Sequence, residues 1–241
     1  MMRIVLDILR RAHTDAAPYR QRIPFETEDA GATVAAALTA INAGGIPDEQ
    51  GNPVEPVRWE CSCLQKKCGA CAMVIGGRPR LACDARLTEF AKKGSVTIEP
   101  LRKFPVIADL TVDRTVLFEN LRRMTVWLTQ DAPADEQTAD AAYDASRCLQ
   151  CGCCLEVCPN FCAEGEFAGA AAMIPAARLL TELPAAAQKP LREAYSRRFY
   201  AGCGKSLACR DVCPAGIETE RLLVNSNAAA IWKRLLRRRK K

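Results

Sequence analysis

The sequence predicts an α+β protein, a mixed strand-and-helix region followed by an all-helical one, and two observations carry that reading. Strand-like apolar runs occur only in the first hundred positions, near residues 4–9, 23–26, 72–75 and 96–99. After Pro100 those signals fade, and Ala, Leu, Arg and Glu dominate segments that read as helices. The composition shift, punctuated by Pro100 and Pro105, sets the expected boundary, with one domain over 1–105 and a second over 106–241.

In chain order, Ile4-Val-Leu-Asp-Ile-Leu9 is apolar and β-branched, and Ile23 and Phe25 alternate with Pro24 and Glu26. Residues 33–42 are Ala-rich and stop at Gly44-Gly45, which predicts a helix with a C-terminal glycine. Ala72-Met-Val-Ile75 is continuously apolar, and Val96-Thr-Ile-Glu99 alternates. Segments 114–128, 176–183, 191–199 and 218–236 are predicted helices, several of them bounded by Pro.

With 49% hydrophobic and 26% charged residues, the chain is not a disordered or collagen-like one. The net charge of +6 suggests a nucleic-acid partner, but seven Lys or Arg lie in the basic tail over 231–241, and without them the charge is −1. Such a tail suits an anionic lipid surface or an acidic partner, or is a solvated end. The apolar run at Ile4 is broken by Asp7 and closed by Arg10 and Arg11, which predicts no secretory signal. The uncharged stretch over 30–47 contains Gly and Thr and is too weakly apolar to cross a bilayer.

Fourteen cysteines are too many for packing alone, and a chain this long needs no disulfide framework. They fall in three groups: five over 61–83, six over 148–162 and three over 203–213. Cys63, Cys68, Cys71 and Cys83 have the spacing C-x4-C-x2-C-x11-C, whose opening is the plant-type spacing for a 2Fe-2S cluster. Zinc sites favour two short Cys pairs, a pattern the lone Cys83 does not match.

Cys148, Cys151, Cys154 and Cys158-Pro159 form C-x2-C-x2-C-x3-C-P, the bacterial ferredoxin run whose fourth cysteine serves a neighbouring cluster. Cys203, Cys209 and Cys213-Pro214 supply the second set. Cys213 is therefore expected to cross over and complete a 4Fe-4S site with Cys148, Cys151 and Cys154. Cys158, Cys203 and Cys209 remain, with Ser206 where a full run would carry cysteine, so that site is expected to hold a 3Fe-4S cluster. Ligation by the Ser206 oxygen is the alternative. Cys61, Cys153 and Cys162 are left as small buried fillers near a cluster, and the single histidine, His13, lies outside every cysteine group.

Three clusters in this order resemble the iron-sulfur subunit of succinate dehydrogenase and fumarate reductase. The resemblance includes Ser62-Cys63 through Cys71-Ala-Met73, Pro100-Leu-Arg-Lys-Phe-Pro-Val-Ile-Ala-Asp-Leu-Thr-Val-Asp113, Phe167-Ala-Gly-Ala-Ala171 and Leu207-Ala-Cys-Arg-Asp-Val-Cys-Pro214, and spans about residues 3–225. It implies a β-grasp 2Fe-2S ferredoxin-like domain and an all-α domain like a two-cluster bacterial ferredoxin. It further implies an FAD-bearing flavoprotein partner that holds the succinate/fumarate site, a membrane-anchor cytochrome subunit, and a peripheral position on the cytoplasmic face of the inner membrane. No residue of this chain has a catalytic acid-base arrangement.

Many members that contact quinone directly carry Trp shortly after the first Cys-Pro and His after the cysteine matching Cys203. Here the positions read Asn160-Phe161-Cys162-Ala163 and Gly204. The family relays electrons to a membrane quinone or haem, and the wording around Cys209 resembles fumarate reductases whose anchor carries two haems, which makes haem b one of the two implied electron partners. Two other readings compete: an iron-sulfur subunit of a glycolate-oxidase-like or heterodisulfide-reductase-like complex, and a zinc-bearing nucleic-acid-binding protein. The first usually has cysteine at the Ser206 position and no 2Fe-2S domain. Against the second, the basic residues are confined to the tail, with few aromatics to stack on bases, so no nucleic acid is expected.

Overall fold

A computed structural model describes residues 1–128, 130–131 and 139–232. It divides into two compact units, Met1–Asp113 and Arg114–Lys241. The basic tail from residue 233 onward lies outside the described residues.

The first unit opens with β1 (Met2–Arg10) and β2 (Tyr19–Thr27), paired antiparallel from Met2↔Thr27 to Arg10↔Tyr19. Ile4, Leu6, Ile8 and Arg10 of β1 are buried while the residues between them are more exposed, the period-two pattern of a strand with one face on a core. Strands β3 (Ala72–Ile75), β4 (Arg78–Leu81) and β5 (Ser95–Glu99) complete the sheet in the order β2-β1-β5-β3-β4. Its only parallel pair, β1 with β5, is central, and the sheet has the β-grasp order. All four residues of β3 are buried, consistent with its continuous apolar run.

Helix α1 (Val34–Asn42) starts at Thr33, whose Oγ1 accepts a hydrogen bond from the Ala36 N–H at 3.2 Å. Two further N–H groups of its first turn, those of Val34 and Ala35, donate to the carbonyls of Ala85 and Ala82. The start of α1 is thereby fastened to the segment around Cys83.

Arginine 10 at the end of β1 is 3% exposed and paired with Asp109, 5% exposed, at 2.9 Å. Asp109 sits in the turn between two short strands, β6 (Val106–Ala108) and β7 (Thr111–Val112), so this hairpin is anchored to the first unit. The observed division accordingly falls after Asp113, beyond the boundary expected at 105/106.

The second unit contains α2 (Thr115–Arg123), α3 (Ala139–Ser146), α4 (Cys153–Glu156), α5 (Gly169–Glu182), α6 (Lys189–Tyr195), α7 (Ala208–Asp211) and α8 (Thr219–Asn227). The Ala-rich α5 is buried along most of its length and packs against α3, α4, α6 and α8. Its start at Gly169 precedes the expected 176, because Pro175 lies inside the helix and not at its first turn. After α6 and α8 the chain continues in single π-helical turns, Ser196–Tyr200 and Ala228–Trp232. Tyr195 is fully buried, donates its hydroxyl to Asn227 Oδ1 at 2.8 Å, tying the two helix ends together, and packs against the Phe199 ring at a tilt of 47°. The π turn at Ser196–Tyr200 leads directly toward Cys203.

Candidate functional site

The hairpin of β3 and β4 brings Cys71 and Cys83 together. Cys71 immediately precedes β3, Cys83 follows β4, Ala72 pairs with Leu81, and the Ala82 N–H donates to the Cys71 carbonyl at 3.0 Å. The turn is Gly76-Gly77, both with positive φ (59° and 82°), the two-residue connection that matches strand twist.

Cys63 and Cys68 come from the irregular loop before β3, where Leu64, Lys66 and Gly69 all have positive φ. That curl turns backbone N–H groups toward sulfur. Gln65 and Lys67 donate to Cys63 Sγ, and Lys66 donates to Cys83 Sγ, each at 3.3 Å. The Gln65 and Lys67 donors lower the Cys63 pKa to about 7, whereas burial pushes Cys71 up to about 12. Cys61 is exposed.

In the second unit, one pocket is lined by Cys148, Cys151, Cys154 and Cys213, with Gly152, Pro214 and a fifth cysteine, Cys209, also on its wall. Burial raises Cys148 to about 11, and the neighbouring Cys151 and Cys213 thiolates add to that shift. Cys154 is pushed well above its usual value by burial and then by Cys151, Cys148, Cys209 and Cys213. The hydrogen bond from Cys153 lowers Cys151 to about 7, so Cys153 is an interior neighbour of the ligand sulfurs. A second pocket is lined by Cys158, Cys203 and Cys209, with Ser206, Gly204 and Asn160 also on its wall. Cys209 rises to about 11 through burial, then through Cys158 and Cys203.

Asn160 donates to the Gly202 carbonyl at 2.5 Å, and a Cβ on Gly204 would lie 3.1 Å from Asn160 Nδ2. Asn160 is thus held directly against Gly204 on the wall of this pocket. Of the three cysteines expected as buried fillers only Cys153 is buried; Cys61 and Cys162 are exposed, and a Cβ on Gly165 would lie 2.8 Å from the Cys162 sulfur.

Among the described residues, no three His, Cys, Asp or Glu side chains converge on a single-ion site. The second-unit thiols instead rim pockets, and the donor set of the chain fits iron-sulfur clusters on three counts. It is thiol-rich, its buried thiolates repel one another and need cationic iron to offset that repulsion, and N–H groups already point at sulfur.

Two features had no local sequence signal. Gln150, between two cysteines of the second group, donates through its side-chain nitrogen to Cys148 Sγ at 3.2 Å and to the Ala171 carbonyl at 2.8 Å. Asp109 accepts from the backbone N–H of Arg58 at 2.9 Å and so holds the approach to the first cysteine loop. A glutamine between cysteines and a proline within a helical stretch were visible in the sequence, but nothing local connects them.

Residues 5–119 match the family model of a 2Fe-2S iron-sulfur cluster binding domain, and residues 144–217 match that of a 4Fe-4S dicluster domain. Fold and site together define an iron-sulfur electron-transfer protein. The succinate dehydrogenase iron-sulfur subunit of Bacillus subtilis is 33% identical over 223 residues, covering 87% of this chain and 85% of that one. The fumarate reductase iron-sulfur subunit of Wolinella succinogenes is 30% identical, over 67% and 72% of the two chains. A chain of the Mycobacterium smegmatis Sdh1 complex in the apo form shares the fold, with a TM-score of 0.75, 22% identity, and 95% and 96% coverage. The chain belongs to the family of succinate dehydrogenase and fumarate reductase iron-sulfur subunits.

Proposed function

We infer that this chain is the electron relay of a succinate dehydrogenase or fumarate reductase complex, placed between an FAD-bearing flavoprotein that holds the succinate/fumarate site and a membrane-anchor cytochrome. In this reading Cys63, Cys68, Cys71 and Cys83 hold a 2Fe-2S cluster. Cys148, Cys151, Cys154 and Cys213 hold a 4Fe-4S cluster, and Cys158, Cys203 and Cys209 a 3Fe-4S cluster. When bound, the clusters supply one-electron redox chemistry. The chain's own contribution is to fix the sulfurs, exclude water with apolar walls and direct N–H groups at the sulfur atoms.

The observation that carries this reading is the grouping of Cys148, Cys151 and Cys154 with Cys213 around one pocket despite the distance of Cys213 in sequence, while Cys158 and Cys203 line the other and Cys209 is on the wall of both. Asn160 against Gly204 favours haem b on an anchor of the two-haem type over a quinone bound to this subunit. Among the described residues no helix is long and apolar enough to cross a membrane, which accords with a peripheral position on the cytoplasmic face. Isolation of the native complex tests the reading. The expected result is a flavoprotein and a cytochrome partner, fumarate reduction by a quinol analogue, a trinuclear EPR signal when oxidised and a 2Fe-2S signal when reduced. Two tetranuclear centres with no trinuclear signal would overturn it.

A further inference from the structure

We propose that Gln150 is a positioning residue that raises the reduction potential of the 4Fe-4S site by donating an amide hydrogen bond to the Cys148 sulfur. The inference rests on the assignment of Cys148, Cys151, Cys154 and Cys213 to that cluster.

The amide nitrogen faces two acceptors, Cys148 Sγ at 3.2 Å and the Ala171 carbonyl at 2.8 Å. A metal-bound thiolate and a carbonyl oxygen have no proton to give, so the NH2 group, and not the amide oxygen, must lie between them. Each of its two hydrogens then serves one acceptor. The amide oxygen is left buried without a partner, a cost that this orientation imposes.

The second acceptor explains why the side chain is fixed. Ala171 lies four residues before Pro175 within α5, and proline has no N–H to return to that carbonyl. Gln150 supplies the missing donor from outside the helix, so the gap left by Pro175 becomes the anchor of the amide. The backbone of Gln150 also adopts a left-handed conformation, φ +50°, which non-glycine residues seldom take. A strained backbone, an interrupted helix and an unpaired oxygen thus all accompany one N–H aimed at sulfur.

Reduction adds a negative charge to a cluster, and a donor on its sulfur stabilises that charge and raises the potential. Gln150→Met keeps the chain length and removes the donor. In redox-poised EPR of the native complex, the ratio of reduced to oxidised 4Fe-4S centre at a fixed potential is expected to fall about tenfold, or about 59 mV for a one-electron couple. The other two centres should keep their potentials. In the wild-type complex labelled with 15N in glutamine side chains, pulsed EPR of the reduced 4Fe-4S centre is expected to show a 15N coupling, and this measurement decides the matter if the Met variant does not assemble. An unchanged potential in Gln150→Met, or no 15N coupling, would overturn the inference while leaving the cluster assignment intact. Absence of any 4Fe-4S signal in the wild-type complex would overturn the assignment and the inference with it.

Discussion

At Asp109 one carboxylate accepts four hydrogen bonds, from Nε and Nη2 of Arg10 and from the backbone N–H groups of Arg11 and Arg58. Asp109→Ala would leave the Arg10 guanidinium buried without its carboxylate partner, a change that typically destabilises by about 3–5 kcal/mol. Thermal unfolding should show the first unit melting earlier, while the 4Fe-4S EPR signal in the second unit persists. Asp48 gives a pH-dependent counterpart. Burial pushes its carboxyl up, but donors from Asn52, Gln21 and Gln50 outweigh burial and hold it below the usual carboxylate range. A depressed folded-state pKa stabilises above the unfolded value and loses that stabilisation as pH falls through the folded value. The stability advantage of wild type over Asp48→Asn, measured by urea unfolding, should be constant above about pH 5 and shrink below about pH 4.

The β3–β4 hairpin shows how an element carries a site. A Cβ on Gly76 would lie 2.9 Å from Phe90 Cε1, and the residue already has φ +59°. Gly76→Val should therefore cost about 1–2 kcal/mol from the left-handed backbone alone, with displacement of Phe90 added. Because this turn sets Cys71 across from Cys83, 2Fe-2S content measured by EPR should fall, while the clusters of the second unit remain. Strands β1, β3 and β5 and helix α1 were legible because their apolar patterns and end signals are local. The β4 sequence Arg78-Pro-Arg-Leu81 was not, since its charged residues and proline hide a strand defined by pairing with β3. The α3 segment, rich in Ala and Asp, has no strong apolar stripe, and β6–β7 depends on the distant Arg10. Cysteine spacings are local and could be read directly. The link between Gln150 and Pro175 runs through Ala171 and exists only once α5 has packed.

Across the whole molecule, the first cysteine group lies in one unit, and in the second unit each of two pockets takes cysteines from both remaining groups. In the proposed assignment this gives about nine irons per chain, with one thiolate fewer at the third site than at the second. Ser206 lines the pocket of that third site together with Cys158, Cys203 and Cys209. Ser206→Cys would place a fourth thiol there. The third site should then take up a fourth iron, raising the content to about ten per chain, and the trinuclear EPR signal should give way to a tetranuclear one. A fourth thiolate makes the site more negative, and net charge is one of the factors that set cluster potential, so its midpoint should fall. In the proposed relay, a lower potential at the trinuclear site raises the barrier to electron exchange with a quinone analogue, so turnover of the complex should drop. Reaction of the flavoprotein with a dye that accepts electrons before they reach this site should be unchanged. Iron content and EPR identical to wild type would show that residue 206 does not face the third cluster, and the reason for a trinuclear site would then have to lie elsewhere in the pocket.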